Sequence, residues 1–121
     1  MKIARVTAHV LEAPLAQPFR WSFNSASQRT GCIVEIVTDR DIEGWGECFG
    51  PAALNAAIVR AYAPYLVGQD PLASEYLWQL LYDKFRDQGQ KGLAITALSG
   101  VDIALWDIKG RHFGAPIHRL M

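Results

Sequence analysis

The sequence predicts an α+β fold: a three-stranded antiparallel β-meander followed by a small helical bundle. Two observations carry this. Residues 3–48 hold alternating or β-branched apolar segments separated by turn signals, whereas residues 53–112 place apolar side chains at i, i+3, i+4 spacing. Size agrees, because 121 residues suit one domain that buries roughly two-thirds of its unfolded surface.

The first strand is expected over residues 3–11, where Ala4, Val6, Ala8 and Val10 alternate with Arg5, Thr7 and His9. His9 falls on the polar face and reads as a solvated or cross-strand histidine rather than a metal ligand. Pro14 and Pro18 close this strand, and residues 19–29, FRWSFNSASQR, have no period and read as a long loop. Aromatics in such a loop either pack back on the domain or face a ligand, and the residues alone leave both open. The second strand covers residues 32–38, broken only by Glu35, and the turn Asp39-Arg40-Asp41 leads into the third over residues 42–48.

Two patterns in this hairpin imitate ligand motifs. Asp39-x-Asp41-x-Glu43-Gly44 begins like a calcium loop, but Gly50 stands where the closing glutamate belongs. Gly44-x-Gly46-x-x-x-Gly50 has one residue too many for the dinucleotide fingerprint and lacks a βαβ context. Cys32 and Cys48 fit neighbouring strands as reduced structural thiols.

A helix is expected over residues 53–62, interrupted by Pro64 and ended by Gly68, with Asp70-Pro71 as cap and first residue of the next. That next helix, to about residue 86, has a core face of Leu72, Tyr76 and Leu80 together with Leu77, Leu81 and Phe85. A polar turn over residues 87–90 precedes a third helix over residues 93–112. Its small and apolar face is Ala97, Gly100, Val101, Ala104, Leu105 and Ile108, and Leu98, Ile103 and Trp106 make the opposite side apolar too. A helix apolar all round needs cover on every side, so this chain is expected to self-associate or to be only marginally stable. Gly114 and Pro116 stop it, and another helix begins at Ile117.

Twelve basic and twelve acidic residues cancel, leaving no electrostatic footprint for nucleic acid or an anionic membrane. No apolar run approaches the ~20 residues of a membrane span, and the start MKIARVTAHVLEAP is not a secretory signal. A cytoplasmic location follows as the expectation.

The order Ala97-x-Ser99-Gly100-Val101-Asp102-x-Ala104-Leu105-Trp106-Asp107-x-x-Gly110-Arg111, then Gly114, Pro116, Ile117 and Leu120, resembles the signature of the mandelate racemase and muconate lactonizing group of the enolase superfamily. Gly44-Trp45-Gly46-Glu47 and Gly68-Gln69-Asp70-Pro71 extend the resemblance over the whole chain. It implies an enolase-like N-terminal capping domain, here residues 1–92, with residues 93–121 as linking helix and truncated start of a modified (β/α) barrel. A complete barrel needs ~250 residues of its own. Relatives usually carry Gly where Asp41 stands.

The activity so implied is α-proton abstraction from a carboxylate substrate, an acid sugar or its lactone, with the enediolate stabilised on Mg²⁺. Dehydratase, cycloisomerase and racemase chemistry share that step. Metal ligands and base project from barrel strands, so no catalytic or metal residue is assigned to this chain, which is expected to be inactive alone. The implied partners are its own C-terminal barrel, a small carboxylate substrate and further copies in a homo-oligomer.

In relatives two loops of the cap reach over the active site. The resemblance thereby makes Phe19, Trp21, Phe23, Asn24 and Arg29 of the first loop, and Cys48 and Phe49 of the second, candidate substrate-binding residues. Arg29, Asn24, Ser22 and Ser25 have the donors for hydroxyls or a distal carboxylate. Asp102, Trp106 and Asp107 are expected to tie cap to barrel, Asp107 and Arg111 to form an i, i+4 ion pair, and Lys109 to be a dipole-favoured charge near a helix C-terminus. The alternative reading is a free-standing binding or interaction module of the same fold. The chain stops at Met121 inside a helical pattern, which favours truncation.

Overall fold

The computed structural model describes residues 1–89 and 91–121. Three strands, β1 (Ile3–Trp21), β2 (Asn24–Thr38) and β3 (Glu43–Cys48), form one antiparallel sheet in the order β1-β2-β3. Helices α1 (Ala52–Leu66), α2 (Ser74–Phe85) and α3 (Leu93–Phe113) follow, with 3₁₀ turns at Arg86–Gln88 and Ile117–Arg119. The meander and the helical bundle are both present.

The pleat decides which face the helices cover. Cys32, Val34 and Ile36 of β2 are sealed against them, together with Leu66, Leu77, Leu81, Leu98, Val101, Leu105 and Ile108. On the opposite face Glu35 receives the Arg5 guanidinium through Nη1 at 2.9 Å and Nη2 at 3.3 Å, and lies 3.1 Å from His9 Nε2. His9, on β1, is thus a cross-strand residue, and it stacks on Trp45 of β3 at 5.8 Å. Hydrogen bonding from Arg5 holds the Glu35 carboxyl below its ordinary pKa. Its stabilising contribution is therefore complete above the ordinary carboxylate range and is lost as pH falls through and below it. Glu35→Gln should flatten the acid side of the stability–pH curve; an unchanged slope in urea titrations would show that the cluster does not couple to folding.

Where structure departs from sequence, the cause is physical. The strand expected to end at residue 11 runs on to Trp21, and the expected loop over residues 19–29 is the far end of a long hairpin whose turn is Ser22 and Phe23. The prolines are tolerated because β1 is an edge strand, and the register slips between Pro14 and Phe19, so a bulge accommodates them. Pro64 does not end α1; only the last helical turn remains beyond it, and the helix continues to Leu66. Asp70 caps a turn instead of α2, its carboxylate accepting the Leu72 N–H at 3.0 Å, and α2 starts at Ser74. That shift leaves Tyr76 exposed while Leu77 and Leu81 are buried. Leu98 belongs to the core rather than to the outer side of α3, where Ile103 stays exposed. The residues after Pro116 form a single 3₁₀ turn. Of the expected polar turn over residues 87–90, Gln90 lies outside the described residues.

Turn and stop positions match their residues. Gly114 caps α3 in the left-handed conformation at φ 60°. Asp41 has φ 57° and donates its N–H to the Thr38 carbonyl at 3.2 Å. Asp41→Gly is expected to be neutral or stabilising by up to about 1 kcal/mol, since a positive φ costs Asp about that much relative to Gly and added unfolded-state entropy offsets part of it. A larger destabilisation in denaturant unfolding would reveal a contact made by the carboxylate.

Candidate functional site

Val10, Cys32 and Cys48 lie abreast across the three strands. Beyond that row β3 has ended, while β1 and β2 stay paired as far as Trp21 and Asn24. A two-stranded ribbon therefore projects from the same end of the sheet as the connection from β3 to α1. Ribbon and connection are the two segments singled out in the sequence, and strand lengths alone bring them to one end.

The ribbon carries its aromatics outward. Phe23, at the turn, is 96% exposed, and Phe19 and Trp21 are about half exposed with ring centroids 5.8 Å apart. The Arg29 guanidinium lies 4.9 Å over the Phe19 ring, an arrangement that orders a long cationic side chain without neutralising it. Asn24 accepts the Ser25 N–H at 2.8 Å, so part of its polar capacity serves the turn. At the root of the ribbon a cleft of about 510 Å³ is lined by Glu12, Arg29, Thr30, Gly31 and Glu47 among others. Arg29 and Glu47 both face this cleft, with no ion pair between them among the described residues. Such a site offers donors and acceptors to a hydroxylated ligand.

In the connection, Phe49 is 85% exposed. It is held from behind by Asn55, which sequence reading missed. The buried Asn55 amide donates to the carbonyls of Phe49 at 2.9 Å and Pro51 at 3.2 Å, and its oxygen accepts from the Thr96 hydroxyl at 2.8 Å. The one available signal was a polar residue among the alanines that open α1. Cys48 does not fit the expectation placed on it: the side chain is 2% exposed, its thiol points to the Ala97 carbonyl at 3.9 Å, and burial pushes its pKa up to about 12. It is a core residue beneath α3, because the pleat turns position 48 inward. Cys32 opposite it is likewise buried and free.

On the helical side Asp107 makes the expected ion pair with Arg111 at 3.1 Å and also accepts the Trp45 N–H at 3.0 Å, fastening α3 to β3. Lys109 Nζ rests 4.4 Å over the Trp106 ring. Among the described residues no three His, Cys, Asp or Glu side chains stand close enough together to hold a metal ion. These residues do not fit a Mg²⁺ site. No described helix is long and apolar enough to cross a membrane.

Comparison with known proteins agrees with this architecture. The model of the mandelate racemase / muconate lactonizing enzyme N-terminal domain matches residues 4–121. D-galactarolactone cycloisomerase of Agrobacterium fabrum is 53% identical over the whole chain, which covers 32% of that enzyme. D-galactonate dehydratase of Ralstonia nicotianae is 39% identical, with all of this chain matching 28% of its length. Among solved structures, the 3,6-anhydro-D-galactonate cycloisomerase of Zobellia galactanivorans superimposes with a TM-score of 0.89 at 33% identity, over 99% of this chain and 31% of that one. The chain thus spans about a third of the length of these relatives. A sheet of this order backed by these helices, with the family's domain matched almost end to end, places the chain in the mandelate racemase/muconate lactonizing enzyme family of the enolase superfamily, as an N-terminal domain.

Proposed function

We propose that the chain is the capping and specificity domain of an enzyme that acts on an acid sugar or its lactone. Residues 1–92 form the cap in this reading, and residues 93–121 the link to a C-terminal barrel. The carrying observation is the ribbon and connection at one end of the sheet, which offer Phe19, Trp21, Phe23, Arg29 and Phe49 outward. The names of the relatives, a lactone cycloisomerase and a sugar-acid dehydratase, support this choice of substrate class.

On this reading proton abstraction α to the substrate carboxylate would fall to residues of the C-terminal barrel, and Mg²⁺, if bound there, would supply charge stabilisation. This chain's part is to close the site. Arg29 meets the distal carboxylate or a pair of hydroxyls, which its planar fork suits. Trp21, Phe23 and Phe49 exclude water, which strengthens the electrostatics inside. Asn24 contributes a polar group at the ribbon tip.

The test is turnover by the full-length protein on six-carbon aldonic and aldaric acids and their lactones, with and without EDTA. The expected result is chelator-sensitive conversion of at least one, and none by the 121-residue chain. No conversion by the metal-loaded full-length protein, or conversion by the short chain, would overturn the reading.

A further inference from the structure

Between α2 and α3 lies a second cleft, of about 340 Å³, lined by Ser74, Glu75, Trp78, Gln79, Asp102 and Trp106. It is remote in the chain from the ribbon and is separate from the substrate-facing residues proposed above. The Asp102 carboxylate is half-buried there, and burial raises its pKa. Among the described residues it has no hydrogen bond and no ion pair. The cation whose field reaches it, Lys109, is engaged on the Trp106 ring instead. The Ser74 hydroxyl is also buried without a partner among the described residues.

A half-buried carboxylate and a sealed hydroxyl, neither with a protein partner among the described residues, both gain from a complementary group brought into the cleft. Its chemistry selects that group. Two carboxylates, Asp102 and Glu75, repel anions, while Trp78 and Trp106 line the same cleft. A carboxylate beside aromatic faces receives a basic side chain, and arginine suits it best, since guanidinium pairs with carboxylate and stacks on indole. Ile103, next to Asp102 in the chain and three residues before Trp106 on α3, is 47% exposed. The relatives supply the source: about two-thirds of their length lies outside the region that this chain matches.

We infer that this cleft is a socket for a lysine or arginine side chain from the polypeptide that follows Met121, locking the cap to the rest of the protein. The inference rests on the capping reading for the existence of that polypeptide. To the expectation that Asp102 and Trp106 tie cap to barrel it adds the cleft they form with α2 and the charge of the side chain received there.

A crystal structure of the full-length protein tests it. A guanidinium or ammonium nitrogen of the same chain, from beyond residue 121, is expected within about 4 Å of the Asp102 carboxylate. A cleft open to solvent, or filled by a second copy, overturns it. In solution, Asp102→Asn should lower the full-length Tm by about 2–4 °C, and an unchanged Tm counts against the socket; should that variant not fold, the wild-type structure decides. The two readings fail separately: an active enzyme with an empty cleft sinks the socket alone, and a filled cleft in a protein without acid-sugar turnover sinks the functional reading alone.

Discussion

Gly46→Ala is expected to destabilise the domain by about 3 kcal/mol or more in denaturant unfolding. A Cβ at position 46 would collide with the Gly100 carbonyl oxygen of α3 and come within 2.8 Å of the Ala104 backbone nitrogen. Gly44 stands in the same relation to the Ala104 carbonyl and the Ile108 side chain, and Gly100 to the Cys48 thiol. The helix therefore lies on β3 backbone to backbone, with Asp107 bonded to the Trp45 N–H as a further fastening. Overpacking a core ordinarily costs about 1–3 kcal/mol because side chains rotate aside. Here the atoms in the way are main chain of a long helix, so relief requires α3 to move and the core beneath it to loosen. Gly31→Ala is the control, since its Cβ would meet only a Glu47 carboxylate oxygen at an ordinary 3.9 Å; a change within about 0.5 kcal/mol is expected. Equal, small effects of the two substitutions would show that α3 is not seated so closely.

For the full-length enzyme, Arg29→Ala should raise KM roughly 10- to 150-fold with little change in kcat, the loss of one charged hydrogen-bonding group of about 1.5–3 kcal/mol. Arg29 stands on an exposed strand, is ordered by Phe19 and faces the ribbon-root cleft, so it is available to a ligand without being required by the core. Trp21→Ala should lower both kcat and kcat/KM, because a residue that excludes water acts on the chemical step as well as on binding. Neither should shift Tm appreciably, since both side chains lie outside the buried core. If Arg29→Ala leaves KM unchanged and Trp21→Ala lowers only Tm, the ribbon has a structural role and the capping assignment of these residues falls.

The helices and the inner strands were legible because burial imposes a period. Val34 and Ile36 on the pleat, and Ala97, Val101, Ala104 and Ile108 along α3, repeat at the spacing of the surface they cover. The ribbon was illegible for the converse reason: both its faces meet solvent over residues 19–29, so nothing selects an alternating pattern, and backbone pairing alone makes it a hairpin. The candidate residues were found by resemblance, and their exposure separates them. Phe23 and Phe49 stand outward, whereas Cys48, one residue earlier in the chain, is turned inward by the pleat. Asn55 was hidden because its worth lies in partners that are distant in sequence, Thr96 above all.

The sequence by itself determined the order of elements, the positive-φ turn at Asp41, the glycine stop of α3 and membership of the family, because these depend on local backbone chemistry and on residues at fixed spacing. Only the tertiary structure decided that β1 and β2 outrun β3, that ribbon and connection share one end of the sheet, and that Asp102 shares a cleft with Trp78 of another helix. Those features depend on strand register and helix placement, which are fixed by packing between segments far apart in the chain and leave no period in any one of them.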